Sequence, residues 1–238
     1  MIDKAKIRAG CKDIWNAFMA KGANFQTNSN DIPFYPTTAD ELPSRLISYS
    51  KAKTLYNNCK KNQIKDFEID AFVHFYTDDQ KFDGKRSGIW SNPWGSAEIL
   101  QHFAGIITPD FSTYADFPFQ LKFINTYKMR LFGYWYGSLG YAVINNVRWG
   151  TEETFSYCFD GIPKNSIVAI GTVASGLRTL ENRKIFEQGF YKMIEVLKPH
   201  TIIVYGSDKY SFFDNVREYI RIIQFNSECA EAFAGVTP

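Results

Sequence analysis

Five short apolar runs constrain this chain more than any other feature: Ala71-Phe-Val-His-Phe-Tyr76, Gly105–Thr108, Tyr141–Trp149, Ser166-Ile-Val-Ala-Ile-Gly171 and Thr201-Ile-Ile-Val-Tyr205. Each is short for a helix and apolar on both faces, the signature of a strand buried on both sides. Helix-length segments separate most of them. A β-α-β-α rhythm of this kind calls for crossovers in a mostly parallel sheet with helices packed outside it. A sixth run, Tyr219-Ile-Arg-Ile-Ile-Gln224, mixes polar and apolar residues and reads as an edge strand. The expected class is therefore α/β, either an open three-layer sheet or an incomplete β/α barrel. The barrel requires two further strands between residues 30 and 70.

The helices announce themselves by periodicity. Phe186, Phe190, Met193, Ile194 and Leu197 are in helical register over 178–197, and Lys198-Pro199 closes that segment. A second helix is expected from Asp116-Phe-Pro118 to about Leu139, with Asp116 as its cap, Pro118 in its first turn and Gly140 as its stop. Phe119, Phe123, Tyr127, Phe132, Tyr134, Trp135 and Tyr136 make it apolar around most of its circumference, so the aromatic row reads as core. Gly133 and Gly137 on one face would let another backbone approach closely. Shorter helices are expected over Ala97–Phe103 with Ser96 as cap, between Glu152 and Phe159, and through Lys60 and Lys61, the last a basic helix fed by a short strand or turn over Arg45–Lys53.

At the N-terminus, Ile7, Cys11, Ile14, Trp15 and Phe18 have helical spacing, which predicts an amphipathic helix over 3–20 with Lys4, Lys6, Arg8 and Lys12 on its other face. Asp3 would cap it and Gly22 would stop it. Residues 24–43 break the pattern with three prolines and read as an extended connection. The domain reading is one α/β domain, 1–238, with 1–45 as helix and connection and 46–225 as the βα core. The tail after Asn226 reads as peripheral.

A net charge of +2, from 27 basic against 25 acidic residues, sets up no global field for nucleic acid or anionic lipid. Local basic segments at Lys4–Lys12 and Lys51–Lys61 leave a nucleic-acid-binding module open as an alternative. Cys11, Cys59, Cys158 and Cys229 lie far apart and form no zinc or redox motif. No stretch approaches the ~20 apolar residues of a membrane span, so a soluble protein of the cytoplasm with no membrane partner is expected.

If the strands are parallel, their C-terminal ends gather on one rim, where α/β proteins build sites. Asp78, Asp110 and Arg148 are the candidate catalytic residues. Asp79, Ser112, Tyr114, Trp149, Thr172, Tyr205 and Gly206 are the candidate substrate-binding residues. Carboxylates in such a place hold Mg²⁺ or Mn²⁺ or act as general bases, an arginine takes a phosphate, and a tryptophan stacks a base. Asp78 and Asp79 are adjacent, so only one can face the rim, and Asp78 is the first choice. A purely structural Asp110–Arg148 pair remains an equal reading. His74 lies within a strand and reads as a core histidine. Thr172-Val-Ala-Ser-Gly176 resembles a phosphate-cradling loop only weakly, whereas Phe159-Asp-Gly-Ile-Pro163 has the chemistry of a structural turn.

Several stretches together resemble an uncharacterised family, domain-of-unknown-function family 4417, of phages, plasmids and other mobile elements. They include Val73-His-Phe-Tyr-Thr-Asp-Asp79, Thr108-Pro-Asp-Phe-Ser-Thr-Tyr114, Arg148-Trp149, Phe159-Asp-Gly-Ile-Pro-Lys164 and Lys198-Pro-His-Thr-Ile-Ile-Val-Tyr-Gly206. The chain departs from that pattern at Asn145, where proline is expected, and at Ala174, where glycine is expected. The resemblance implies an α/β fold, a mobile-element context and, for a phage protein, the host cytoplasm; it implies no particular activity. The expected activity is that of an enzyme or ligand-processing protein whose partner is a nucleotide, nucleic-acid base or other small phosphorylated ligand; the alternative is a non-catalytic module that binds DNA, RNA or a host protein.

Overall fold

The apolar runs form a parallel sheet of seven strands that follows sequence order from one edge to the other. The structure is a computed structural model that describes residues 6–7, 9–25, 30–37, 39, 41–64, 66–173 and 175–235. Its elements are β1 (Leu46–Ser48), α1 (Tyr49–Lys61), β2 (Ile69–His74), α2 (Asp79–Asp83), α3 (Pro93–Leu100) and β3 (Phe103–Ile107). There follow α4 (Phe119–Ser138), β4 (Val143–Asn146), β5 (Ile167–Gly171), α5 (Leu180–Leu197), β6 (Thr201–Tyr205), α6 (Ser211–Asp214), β7 (Arg221–Phe225) and α7 (Glu228–Phe233). Of the strands expected between residues 30 and 70, the described residues supply β1.

The sheet curls. In a flat sheet with strands about 4.8 Å apart, β2 and β6 would be separated by roughly 19 Å. Here the rings of His74 on β2 and Tyr205 on β6 lie 4.0 Å apart, centroid to centroid. Just past β2, Tyr76 stacks on Tyr205 at 5.3 Å and donates its phenol hydrogen to Asn146 Oδ1 on β4 at 3.0 Å. Strand residues alternate between faces. Ile167, Ala169, Ile203 and Tyr205 join Phe72, Ile107 and Ile144 inside the curl. Val168, Ile170, Ile202 and Val204 face outward onto Phe186, Phe190, Met193 and Leu197 of α5. The architecture is thus the incomplete β/α barrel among the two expected forms, with its seam between β1 and β7.

That seam is bridged rather than hydrogen-bonded strand to strand. Glu228, the first residue of α7, accepts the Ser48 backbone N–H at 3.1 Å and pairs with Lys51 at 3.5 Å, while its own N–H donates to Tyr205 Oη at 3.1 Å. The segment after Asn226, expected to be peripheral, thereby ties the last strand to the first.

On α4, Gly137 and Gly133 face side chains rather than the second backbone expected there. A Cβ on Gly137 would lie 2.1 Å from the Tyr35 ring and one on Gly133 would lie 2.8 Å from Thr108 Cγ2. Other expectations fail for local reasons. Among the described residues of 3–20 there is a 3₁₀ turn at Ala17–Ala20 in place of the expected helix, because Asp13 accepts the N–H groups of Ala17 and Phe18 and Asn16 takes a left-handed φ of 56°. Ile14 and Trp15 are left exposed; Asp3, Lys4 and Arg8 lie outside the described residues. Asp116 is exposed and does not cap α4, whose N-cap position is Pro118 with no side-chain hydrogen bond. Asn92 caps α3, and Ser96 sits inside that helix, bonded to Tyr136 Oη at 2.7 Å.

Candidate functional site

The C-terminal ends of β2, β3 and β4 deliver polar side chains to one place because each strand's apolar run ends there. Two residues beyond β4, Arg148 donates through Nη1 to Asp110 Oδ2 at 3.0 Å. The last residue of β4, Asn146, donates through Nδ2 to Asp110 Oδ1 at 2.8 Å. Asp110 therefore has one partner on each carboxylate oxygen, and Asn146 is fixed in turn by Tyr76. A guanidinium carries five N–H donors. Beyond the bond to Asp110, Arg148 makes no other hydrogen bond among the described residues, and its side chain keeps 17% of its exposure.

Asp78 and Asp79 divide as adjacent residues must. Asp78 is exposed and caps α2 by accepting the Gln80 N–H at 2.9 Å. Asp79 turns inward and accepts both the Ser112 N–H at 3.2 Å and the Ser112 hydroxyl at 2.9 Å. Burial pushes its carboxyl above the ordinary range, the Ser112 hydrogen bonds oppose that shift, and nearby Asp110 adds to it. Asn125 of α4 holds the Ser112 carbonyl from behind at 2.6 Å. Two sheltered carboxylates, a hydroxyl and a partly used guanidinium thus meet at the mouth.

Asp110, Ser112 and Arg148 border a cavity of about 410 Å³ whose wall also includes Asp78, Tyr114 and Tyr205, while Asp79 stands behind Ser112 and is not part of that wall. Lys81 of α2 and Glu228 of α7 also line it. Neither Lys81, Asn146 nor Glu228 is legible as a site residue from strand ends alone. Lys81 has a faint signal in its spacing, one helical turn after Asp78.

The other expected site residues fall elsewhere. Trp149 is buried and packs on Phe186 with ring centroids 4.9 Å apart, in the wall of a smaller adjoining chamber of about 180 Å³. Thr172 donates its hydroxyl to the Ser207 carbonyl at 2.9 Å, locking the ends of β5 and β6 together. Gly206 has φ +114°, and a Cβ there would sit 2.5 Å from Thr172 Oγ1, so that position requires glycine. Neither residue lines either cavity. Ala174 lies outside the described residues.

Behind the mouth, His74 is a core histidine with one side unserved. Its Nδ1 accepts the Tyr76 N–H at 3.2 Å, and its Nε2 is buried with no hydrogen-bond partner among the described residues. Burial holds its pKa down at about 4, so at neutral pH the ring is uncharged. With Nδ1 accepting, the proton sits on Nε2.

Arg130 of α4 supports the site from outside. It is wholly buried and donates to three backbone carbonyls, those of Asn146 at 2.9 Å, Cys158 at 2.9 Å and Asp160 at 3.0 Å. One guanidinium thereby fixes both the end of β4 and the Asp160-Gly161 turn, confirming that turn as structural. Among the described residues no group of three or more His, Cys, Asp or Glu side chains is placed to hold a metal ion. No described helix is long and apolar enough to cross a membrane.

A parallel, curled β/α sheet with its polar residues gathered at the strand C-termini defines the class. The chain belongs to the family described as a domain of unknown function (DUF4417), whose model matches residues 26–226. It is 29% identical over 179 residues to the Gene 1 protein of Mycobacterium phage D29, a match covering 74% of this chain and 64% of that protein. It is 32% identical over 191 residues to the Gene 1 protein of Mycobacterium phage L5, covering 78% and 81%. The match spans less than two thirds of the D29 protein and most of the L5 protein. No solved structure matches the chain. The domain is thus phage-associated.

Proposed function

We propose that the barrel mouth binds a small phosphorylated ligand, a nucleotide being the favoured class, and acts on it by proton transfer. Arg148 anchors the anion and Lys81 adds charge at the entrance. Asp79 exchanges the proton through the Ser112 hydroxyl that stands between it and the cavity, since a sheltered carboxyl with a raised pKa suits general acid–base work. Asp110 serves as a positioning residue for Arg148. The observation that carries this reading is the meeting of Asp110, Ser112 and Arg148 at the 410 Å³ cavity, with Asp79 bonded to the Ser112 hydroxyl behind them.

The nucleic-acid alternative draws less support from the basic helix α1, where Lys51 pairs with Glu228 and Lys60 with Glu98 at 3.3 Å. The test is a thermal-shift and calorimetry panel of nucleoside phosphates and sugar phosphates on the native chain, Arg148→Gln and Asp79→Asn. At a ligand concentration 100 times Kd, binding stabilises the fold by about 2.7 kcal/mol. The expected result is a ligand that binds the native chain, binds Arg148→Gln at least tenfold more weakly, and binds Asp79→Asn without being turned over. A panel in which nothing binds, or in which Arg148→Gln binds as well as the native chain, refutes the reading.

A further inference from the structure

The 180 Å³ chamber beside the mouth has a chemistry of its own. It lies between the ends of β4 and β5 and the first half of α5, and its apolar wall includes Val147, Trp149, Ile170 and Phe186. Three glycines, Gly150, Gly171 and Gly176, also line it, so backbone forms part of its surface. A Cβ on Gly176, at φ +67°, would meet the Asn182 amide nitrogen at 2.4 Å, so glycine there lets that amide close down on the chamber. Thr113, another lining residue, has a buried hydroxyl with no hydrogen-bond partner among the described residues. A buried, unserved hydroxyl costs roughly 1–3 kcal/mol; this oxygen is shielded from solvent, so a ligand group that bonds to it, and removes that cost, does so by shifting the chamber wall around Thr113.

Size and connection narrow the occupant further. Small-molecule sites usually fall between about 300 and 1,000 Å³. The side chamber is below that range, and the mouth is within it. Arg148 and Tyr114 line both spaces, so the two chambers adjoin at these residues. One ligand occupying both must therefore have an anionic part near Arg148 and a compact part suited to an aromatic wall with hydroxyl and amide groups on it. Aromatic side chains favour flat π-systems, and hydroxyl and amide groups read ring nitrogens and exocyclic groups.

We propose that the side chamber is a nucleobase subsite, in which the base of a free nucleoside phosphate lies against Trp149 and Phe186 while its phosphate rests on Arg148 in the mouth. This deepens the functional reading given above and rests on it for the phosphate half. Tyr114, which is 47% exposed at the junction, covers the sugar that crosses between the two.

The test compares the four nucleoside 5′-monophosphates with ribose 5-phosphate and with the free nucleosides, by calorimetry and tryptophan fluorescence. At least one monophosphate should bind ten times more tightly than ribose 5-phosphate and quench emission, and Trp149→Phe should abolish the quench. Thr113→Val removes the unserved hydroxyl, and Ile185→Phe narrows the chamber at a half-buried position. Each should weaken that monophosphate tenfold or more while leaving ribose 5-phosphate unchanged. Thr113→Val should unfold no more readily than the native chain, which separates lost recognition from lost folding.

Arg148-dependent binding of ribose 5-phosphate with no gain from any base would overturn the side chamber and leave the mouth reading standing. A nucleoside that binds with Thr113 dependence but gains nothing from its phosphate would support the chamber and overturn the mouth reading. Binding of none of these compounds would overturn both.

Discussion

Asp110 and Arg148 stand 3.0 Å apart with 8% and 17% of their side chains exposed, so most of the charge on each is served by the other and by Asn146 rather than by water. Exposed ion pairs contribute about 0–1 kcal/mol, whereas removing one member of a sheltered pair strands the other. Asp110→Ala should therefore lower stability by about 2 kcal/mol, and the Asp110→Ala, Arg148→Ala double-mutant cycle should show coupling above about 1 kcal/mol. Urea unfolding of the four proteins measures both quantities. Coupling below about 0.5 kcal/mol would assign the pair to the exposed class.

His74 should make the fold acid-sensitive through one identifiable group. Its folded pKa of about 4 lies below the ordinary 6.5. The folded state therefore resists a proton that the unfolded state takes up, and stability falls as pH drops from 6.5 to 4 and levels off below that. The full difference amounts to roughly 3 kcal/mol. Glu228 on α7 favours the charged ring and Lys51 on α1 opposes it, but burial outweighs both. His74→Asn keeps an acceptor near the Tyr76 N–H and does not titrate. Subtracting its stability–pH curve from that of the native chain cancels Asp79, whose raised pKa acts with the opposite sign. The difference curve should be flat above pH 7 and slope between 6.5 and 4; a flat difference throughout would show that His74 does not titrate there.

What could be read from the sequence depended on how far apart the cooperating residues lie. Strands β2 to β6 were legible because each is an apolar run closed by a polar residue, and that same feature located Asp110 and Arg148. Strand β1, only three residues long, shows in the sequence just as a short strand or turn before the basic helix, because so few residues do not separate the two. The helical spacing of Ile7, Cys11, Ile14, Trp15 and Phe18 is real, yet Asp13 and Asn16 turn the chain before a helix can use it. The different places of Asp78 and Asp79 follow from the start of α2, where Asp78 caps the helix beside the cavity and Asp79 turns inward to Ser112. Glu228 and Asn146 act only because the sheet curls, and nothing local in a sequence records curling. Arg130 lay hidden in a row of aromatics whose apolar character was the stronger signal.

Gly171 tests the inside of the curl. A Cβ there would lie 2.6 Å from the Tyr76 ring, which fills the space beside it and stacks on Tyr205. Gly171→Ala should therefore push Tyr76 off its hydrogen bond to Asn146, at a cost of about 1–3 kcal/mol typical of overpacking. Gly140→Ala is the comparison. Gly140 has a φ of +90° with open space around its Cβ, so that change carries backbone strain alone. Loss of stability in Gly171→Ala together with weaker ligand binding is expected, against loss of stability alone in Gly140→Ala. Equal binding by the two variants would detach the mouth from the Tyr76–Asn146 contact.

Arg130 should matter for the shape of the site more than its distance from the mouth suggests. Burial pushes its pKa down to about 10, so it remains charged at neutral pH with no carboxylate bonded to it. Its charge is solvated by the carbonyls of Asn146, Cys158 and Asp160. Arg130→Met leaves all three without that donor, at about 1–3 kcal/mol each where no water replaces it, so a loss of at least 3 kcal/mol is expected. Arg130→Lys keeps the charge but not the planar fork that reaches three acceptors, and should recover only part of the loss. Because the three carbonyls belong to β4 and the turn after it, the damage should be local. Hydrogen exchange should speed up across residues 143–162 while β6 keeps its protection. A uniform rise across β4 and β6 would instead mean that Arg130 stabilises the fold as a whole and does not selectively hold the strand end that presents Asn146 to Asp110.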